Sequence, residues 1–302
     1  MSEALPNVHQ IDLRFMGQPG CIAAYALKGS DGAAALIETG PSSTRDALLA
    51  GLRDAGVEPA AIREILVTHI HLDHSGAAGV LLRDDMPDAH VYVHPLGLPH
   101  LVDPSRLLRS ATRLYGEMMG ALWGEVAPIP AGRVSALEDG GRLRLAGHAV
   151  EALFTPGHAA HHVAVRHLDS GAVFTGDVAG VRVPGADAIN PPAVPPEFDL
   201  EAWEQSINRL LALQPSALLL AHFGRYPDAR AHLETLRGRL HAWTSFVRAG
   251  LAAGRPAEEM AAELRARDED EPGATPAGLT SLNLIAGYGP SVAGITRYLQ
   301  KR

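Results

Sequence analysis

The distribution of apolar residues along the chain predicts strands first and helices later. The earliest strand candidates are residues 8–16, 21–28 and 33–38. Asp31 and Gly32 lie between the last two of these and are typical of a hairpin turn. A helix over 46–55 follows, for which Ser42 and Ser43 are candidate N-cap residues. The first part of the chain is therefore expected to form antiparallel strands before a helix.

The middle of the chain alternates between strand and helix signals. The predicted elements are strands at 64–68, 89–94, 143–145, 149–154, 163–165, 172–175 and 217–221, a short helix after Ser75 and a helix at 200–213. Residues 95–125 interrupt this rhythm with apolar side chains at helical spacing, which predicts one amphipathic helical insert. This pattern favours a mixed α/β domain over residues 1–226.

After Pro227 the pattern becomes entirely helical. The predicted helices cover residues 229–250, 256–267, 280–286 and 291–299. The change of pattern predicts a second region, residues 227–302, as a C-terminal helical appendage.

Composition narrows the function classes. The chain has 302 residues, 46% of them hydrophobic, a net charge of −8, 15 histidines and one cysteine, Cys21. A single cysteine excludes a disulfide framework and a thiolate zinc cluster. The acidic balance argues against a nucleic-acid partner. The N-terminus has no secretory pattern and no window has about 18 uninterrupted apolar residues, so we expect a cytoplasmic protein without a membrane partner.

The strongest chemical motif is the sequence THIHLDHSG at residues 68–76. It follows a buried strand, and strand alternation places His69 and His71 on the same side. Asp73 and His74 then lie on the turn beside them. Three imidazoles and a carboxylate within six residues are typical of a site for a divalent ion such as zinc.

Three further segments place a metal-binding residue type directly after a predicted strand. They are Thr-Pro-Gly-His158, Thr-Gly-Asp177 and His222. Loops at the end of a sheet are where α/β folds collect functional residues. Together with the first motif they supply five histidines and two aspartates, enough for two ions, with Asp177 as a natural bridge.

These motifs resemble those of the metallo-β-lactamase fold superfamily of binuclear metallohydrolases, in its glyoxalase II-like or lactonase-like branch. The resemblance covers residues 8–226 and implies a four-layer αββα sandwich in the α/β (α+β) class. It further implies one ion held by His69, His71 and His158 and a second held by Asp73, His74 and His222, with Asp177 between them. It places His162 behind the ligands, where a packed core residue is the alternative.

The ligand set implies hydrolysis by a metal-bridging hydroxide that attacks an ester, lactone or thioester carbonyl. Two zinc ions are the expected cofactor, with iron or manganese as alternatives, and Asp73 is the candidate catalytic residue. An aspartate at 177, where one class of β-lactamases has cysteine, points away from β-lactams. Residues 178–192 lack the arginine motif of glyoxalase II and persulfide dioxygenases.

The expected partner is a small-molecule substrate. Candidate substrate-binding residues are Tyr226, Met118 and His94, and His100 also lies at the start of the insert. The insert is a lid, a packing element or a contact in a homodimer, and the sequence leaves these alternatives open. An iron persulfide dioxygenase-like oxidoreductase and a phosphodiesterase are the alternative functions.

Overall fold

The computed structural model describes residues 2–271 and 273–301, and two sheets form its centre. The first sheet contains β1 (Ser2–Leu5), β2 (Val8–Asp12), β3 (Ala23–Lys28), β4 (Ala34–Ile37), β5 (Ile62–Leu66), β6 (His90–Val93) and β7 (Val134–Ala136), side by side in chain order. Strands β1–β4 are antiparallel, and β4–β7 run parallel to one another. The parallel half carries the strand that precedes the first motif.

The second sheet contains β8 (Arg142–Leu145), β9 (His148–Phe154), β10 (Val163–His167), β11 (Val173–Gly176), β12 (Leu218–Leu220) and β13 (Gly224–Tyr226). Their order is β13-β12-β11-β10-β9-β8, and the β11–β12 pair alone is parallel among the pairs of this sheet. Strands β9, β11 and β12 therefore end close to one another, each just before a predicted ligand.

Helices cover the outer faces of both sheets. They are α1 (Arg45–Asp54), α2 (Leu72–Ser75), α3 (Ala78–Asp84), α4 (Leu98–Val102), α5 (Ser105–Tyr115), α6 (Met119–Trp123), α7 (Leu200–Ala212), α8 (Ala229–Ala252), α9 (Ala257–Glu269), α10 (Pro276–Ala286) and α11 (Tyr288–Gln300). None of these helices is both long and apolar enough to cross a membrane.

Alternating side chains of the strands divide the interior into three main apolar layers. In β4, Ile37 packs between the two sheets, whereas Leu36 faces the helices outside the first sheet. The second outer layer joins Leu218 of β12 to Trp203 of α7 and Leu236 of α8. Because a strand presents successive residues to opposite faces, each sheet is buried on both sides. The αββα sandwich expected from the sequence is confirmed.

The C-terminal helices share the outer layer of the second sheet. At its centre a buried polar network joins them to a loop: the Asn190 side chain donates to Asp268 at 2.6 Å, and Tyr288 donates to the same carboxylate at 2.7 Å. Arg239 of α8 also pairs with Asp268. Buried polar groups of this kind are stable only when partnered, so the network fixes how α8, α9 and α11 pack on that loop.

Two local predictions were wrong. The insert is not one helix, because Gly116, at φ 51°, ends α5 and a turn separates it from α6. Ser42 and Ser43 do not cap α1 with their side chains. Their hydroxyls donate instead to backbone carbonyls of Trp123 and Leu122, at 3.1 and 2.6 Å. These serines therefore fasten the end of the insert to the body of the protein.

Candidate metal centre

The predicted ligands converge where strands of the two sheets end. His69 and His71 follow β5, and the short helix α2 presents Asp73 and His74. The other ligands follow strands of the second sheet: His158 after β9, Asp177 after β11 and His222 after β12. Residues far apart in sequence thus meet at one edge of the sandwich, as expected for an α/β fold.

Three imidazoles form the first cluster. His71 Nδ1 lies 3.0 Å from His69 Nε2 and 2.9 Å from His158 Nε2. The Oδ2 atom of Asp177 lies 3.3 Å from His158 Nε2. Metal–nitrogen bonds of about 2.0–2.1 Å place the ligand atoms of a tetrahedral site about 3.3 Å apart. The cluster is therefore close to the spacing of a four-coordinate site.

The second cluster lies on the other side of Asp177. His74 Nε2 and His222 Nε2 are 3.2 Å apart, and Asp177 Oδ1 is 3.2 Å from each. Asp73 Oδ2 lies 3.7 Å from His74 Nε2 and 3.6 Å from His222 Nε2. Each oxygen of Asp177 faces one cluster, which is the arrangement that a bridging carboxylate requires.

The donors themselves fit two divalent ions. Asp177 Oδ1 is buried and accepts no hydrogen bond within the described part of the chain. An unsatisfied buried acceptor costs about 1–3 kcal/mol, and a cation would remove that cost. Burial, followed by the neighbouring histidines, lowers the pKa of His69 and of His71, which keeps both imidazoles in the neutral form that binds metal. Nitrogen and carboxylate ligands without thiolate suit zinc, iron or manganese.

Hydrogen bonds behind the clusters fix the orientation of the imidazoles. His158 Nδ1 donates to the carbonyl of Pro192 at 2.8 Å, and His222 Nδ1 donates to that of Cys21 at 2.9 Å. Each bond places the proton on Nδ1 and leaves Nε2 free for a ligand bond. Outer contacts of this type are a general property of histidine metal ligands.

Glu38 is part of the site and was missed by the sequence analysis. Its buried carboxylate accepts a hydrogen bond from the Thr68 hydroxyl and lies 3.1 Å from His74 Nδ1. The residue has φ 65°, an uncommon conformation for a residue with a side chain. A carboxylate directly after the buried strand β4 was the signal that could have identified it.

Two adjacent histidines support the site differently. His162 Nε2 accepts a hydrogen bond from the backbone N–H of Asp177 at 3.0 Å, so its Nδ1 carries the proton and donates to Thr155 Oγ1 at 2.8 Å. It thus lies behind Asp177. His161, which the sequence analysis did not single out, is buried at the cavity wall, with Nε2 3.6 Å from Glu197.

A cavity of about 630 Å³ opens over the clusters. His71, Asp73, His158 and Asp177 lie in its wall. The remainder of the wall is mostly apolar and includes Ile70, Leu107, Leu114, Leu122, Trp123, Leu284 and Ile285. Helices α5, α6, α10 and α11 thus all contribute, and the volume is within the range of small-molecule sites. The insert also packs on the body, since Trp123 stacks on Phe15 with ring centroids 5.6 Å apart.

The structure brings His100 to this cavity but not the three predicted substrate-binding residues. The ring of His94 packs against Phe154, and its Nδ1 accepts from the backbone N–H of Leu96. Met118 lies on the turn between α5 and α6 with 49% of its surface exposed. Tyr226 donates its hydroxyl to the carbonyl of Arg182 at 3.0 Å. The hydrogen bonds of His94 and Tyr226 and the exposed position of Met118 leave all three outside the cavity wall.

The fold and the paired clusters define a metallo-hydrolase type of protein. The family model described as "Metallo-beta-lactamase superfamily" matches residues 19–222, a span that includes all seven candidate ligands. The chain therefore belongs to the metallo-β-lactamase superfamily, as the motifs indicated.

Two curated relatives are similar to part of the chain. The metallo-beta-lactamase fold-containing protein ST1585 of Sulfurisphaera tokodaii is 30% identical over 163 residues, 53% of this chain and 60% of the relative. An atrochrysone carboxyl ACP thioesterase of Aspergillus fumigatus is 29% identical over 69% of this chain and 56% of its own length. The chain thus spans about three fifths of the length of these curated relatives.

Among solved structures, the metallo-beta-lactamase family protein TTHA1429 of Thermus thermophilus is similar in fold. Its TM-score is 0.73 at 23% identity, and the match covers 98% of this chain and 94% of that one. The similarity extends across the C-terminal helices as well as the sandwich.

Proposed function

We propose that the protein is a binuclear metal-dependent hydrolase of ester, lactone or thioester bonds with a sizeable apolar acyl group. The observation that carries this proposal is the placement of the ligand clusters in the wall of an apolar cavity. A carbonyl at the ligands would have its acyl chain among apolar side chains such as Leu107, Leu122 and Ile285, because apolar residues make up most of the cavity wall.

Bound divalent ions would supply a hydroxide at neutral pH and polarise the carbonyl under attack. The chain itself supplies the remaining functions. Asp73 lies in the cavity wall, and its carboxylate has a second oxygen that can accept a hydrogen bond from the attacking water. The apolar wall formed by Ile70 and Leu72 limits the access of bulk water to the reacting carbonyl.

Tyr115 of α5 is a candidate hydrogen-bond donor to the substrate. It lines the cavity, and its ring meets Trp123 edge-on at 5.0 Å. Partial burial of the phenol first, and then the charge of Asp73, raise the pKa of Tyr115 to about 12. The hydroxyl is therefore protonated at neutral pH and can donate to a carbonyl or a leaving group.

The relatives support a carbonyl substrate. One of them is named a thioesterase, and a thioester is cleaved by the same attack of water on carbon. Aspartate at position 177, together with a single cysteine in the whole chain, points away from the β-lactamases that use cysteine there.

The experiment is a hydrolysis panel with the purified, metal-loaded protein. Acyl esters, lactones and thioesters of increasing chain length are assayed before and after chelation, with the Asp177→Ala variant in parallel. We expect hydrolysis that rises with acyl length, is lost on chelation and is nearly abolished in Asp177→Ala. Asp187→Ala, an exposed carboxylate ten residues later, is the matched control and should retain activity.

Two results would contradict the proposal. Activity that survives both chelation and Asp177→Ala would exclude the clusters as its source. One redox-active iron per chain with oxygen uptake on a persulfide would replace hydrolysis by oxygenation. A homodimer and a cytoplasmic location stay predictions, which light scattering and cell fractionation can check.

A further inference from the structure

The helix α5 carries a stripe of positive charge beside the cavity. Arg106, Arg109 and Arg113 lie three and four residues apart, so they share one side of the helix, and all three are exposed. At a rise of about 1.5 Å per residue the stripe extends over roughly 10 Å. No acidic residue lies within α5 itself.

The contacts of these three arginines differ from those of arginines such as Arg45, which pair with carboxylates. In residues 2–271 and 273–301 none of the three forms an ion pair with a carboxylate, and the Arg113 guanidinium donates to the backbone carbonyl of Arg109. Like charges at this spacing repel one another. Asp103 lies just before the helix, and after its hydrogen bonds to Ser105 the charge of Arg109 helps to lower its pKa. The stripe still carries more positive charge than this carboxylate balances, which in a chain of net charge −8 indicates an external anion.

The stripe borders the mouth of the catalytic cavity. Arg106 lies in the cavity wall together with His71 and Asp73, and the stripe adjoins Ser110 and Leu114, which also line the cavity. The large apolar side chains with exposed surface include Leu96, Leu114, Tyr115 and Met118, all within the insert. The mouth is thus apolar inside and cationic along its edge.

From this arrangement we infer the substrate class: an acyl thioester whose leaving thiol carries phosphate. The inference rests on the proposed function. The acyl chain occupies the apolar cavity, the carbonyl lies at the ligands, and the thiol arm leaves past the arginines. The planar fork of a guanidinium binds phosphate oxygens in pairs, and a row of three over roughly 10 Å suits an extended phosphorylated arm. Coenzyme A and a phosphopantetheine arm on a carrier protein share this chemistry.

The reaction needs no further reactant. The oxygen of water forms a bond to the acyl carbon, the carbon–sulfur bond breaks, and the electron pair leaves on sulfur. One proton of the water ends on the thiol and the other is released to solvent, and the products are a carboxylate and a free thiol. No atom is oxidised or reduced.

The experiment compares thioesters with and without phosphate. The kcat/KM values of the metal-loaded full chain are measured for one acyl group on coenzyme A, on a phosphopantetheinylated carrier protein and on neutral N-acetylcysteamine. The readout is the ratio of a phosphorylated to the neutral thioester. Wild-type protein and the triple variant R106Q/R109Q/R113Q are compared at low and high salt. The control R53Q/R144Q/R248Q removes the same charge from exposed arginines outside the cavity wall.

We expect a ratio above ten for the wild type, a fall of at least tenfold in the triple variant and in high salt, and no change in the control. The kcat/KM values for the carrier-protein thioester and the coenzyme A thioester show which of the two is the better substrate. Equal ratios for wild type and triple variant overturn the inference while the proposed function stands. Hydrolysis of esters or lactones but of no thioester also overturns it alone. Hydrolysis of nothing in the panel overturns both proposals.

An anionic membrane surface is the alternative partner for the arginine stripe. Sedimentation with vesicles of phosphatidylglycerol and phosphatidylcholine separates the two. Binding to these vesicles that the triple variant loses, without a change in the thioester ratio, would overturn the inference in favour of a lipid surface.

Discussion

The contact between Glu38 and His74 gives the sharpest test of whether the second cluster holds an ion. Substitution of Glu38 by glutamine keeps the shape of the side chain but removes its charge and one of its two acceptor oxygens. The Thr68 hydroxyl and His74 Nδ1 both face Oε1, and Oε2 accepts from the backbone N–H of Thr68, so an amide must turn its NH2 group toward at least one of these donors. Loss of one charge-assisted hydrogen bond costs about 1.5–3 kcal/mol. At about 1.4 kcal/mol per factor of ten, the second ion should bind about 10- to 100-fold more weakly.

The assay is a zinc titration against a competing chelator, which gives two dissociation constants per chain. The first constant should change less, because Glu38 is linked to the first cluster indirectly, through the Thr68 hydroxyl that lies 3.1 Å from His69 Nδ1. Glu64→Gln is the matched control, since this half-buried carboxylate accepts from the backbone N–H of Ala146 at 3.1 Å, outside the clusters. A second dissociation constant equal to that of the wild type in a folded Glu38→Gln protein would refute the reasoning.

Three further predictions concern stability and metal removal. Burial lowers the pKa of His232 to about 4, so its neutral form contributes stability that is complete above about pH 6.5 and is lost as the pH falls through 4. The free energy of unfolding, measured with denaturant, should therefore fall by about 3 kcal/mol more in the wild type than in His232→Leu between these pH values. An equal fall in the two proteins would contradict this. Gly157 has φ 137°, and a Cβ there would lie 2.3 Å from Trp203 Cα. Gly157→Ala should destabilise by about 2–4 kcal/mol, whereas Gly132→Ala, in open space, should be near neutral; similar melting temperatures would exclude the clash. Chelation should lower the melting temperature, and added zinc should restore it. A melting temperature that does not change when the chelator is added would argue against bound metal.

The sequence could predict most of the candidate site because the signals for its residues are local. His69, His71, Asp73 and His74 lie within six residues, and each remaining ligand directly follows an apolar strand. Strand patterns and the family resemblance together were enough to expect the sandwich. In such cases the chemistry and the element that positions it can be read from the same short segment.

Long-range contacts could not be predicted from the sequence pattern. Glu38 reaches the site because β4 and β5 pair in parallel, with its backbone N–H bonded to the Leu66 carbonyl, and no periodicity reports that pairing. The role expected of Tyr226 lacks support for a similar reason. It is near His222 in sequence, but β13 carries its hydroxyl to Arg182 rather than to the cavity.

The insert shows a second limit of prediction from the sequence. Its apolar spacing predicted one helix through residues 107–122, and the spacing does hold within α5. Gly116 then adopts φ 51°, a conformation in which glycine is unstrained, and the chain turns to begin α6. Hydrophobic periodicity identifies which face is buried, but a single glycine decides where a helix ends. The turn places Tyr115 and Trp123 together at the cavity, which one straight helix could not do.

The central claim is that seven side chains hold two ions with Asp177 between them. The most direct measurement is the metal content of the protein purified without added metal, combined with anomalous scattering to place the ions. We expect two divalent ions per chain, one at His69, His71 and His158 and one at Asp73, His74 and His222. In Asp177→Ala at least one of the two should be lost. One ion per chain, or two ions that remain bound in Asp177→Ala, would contradict it.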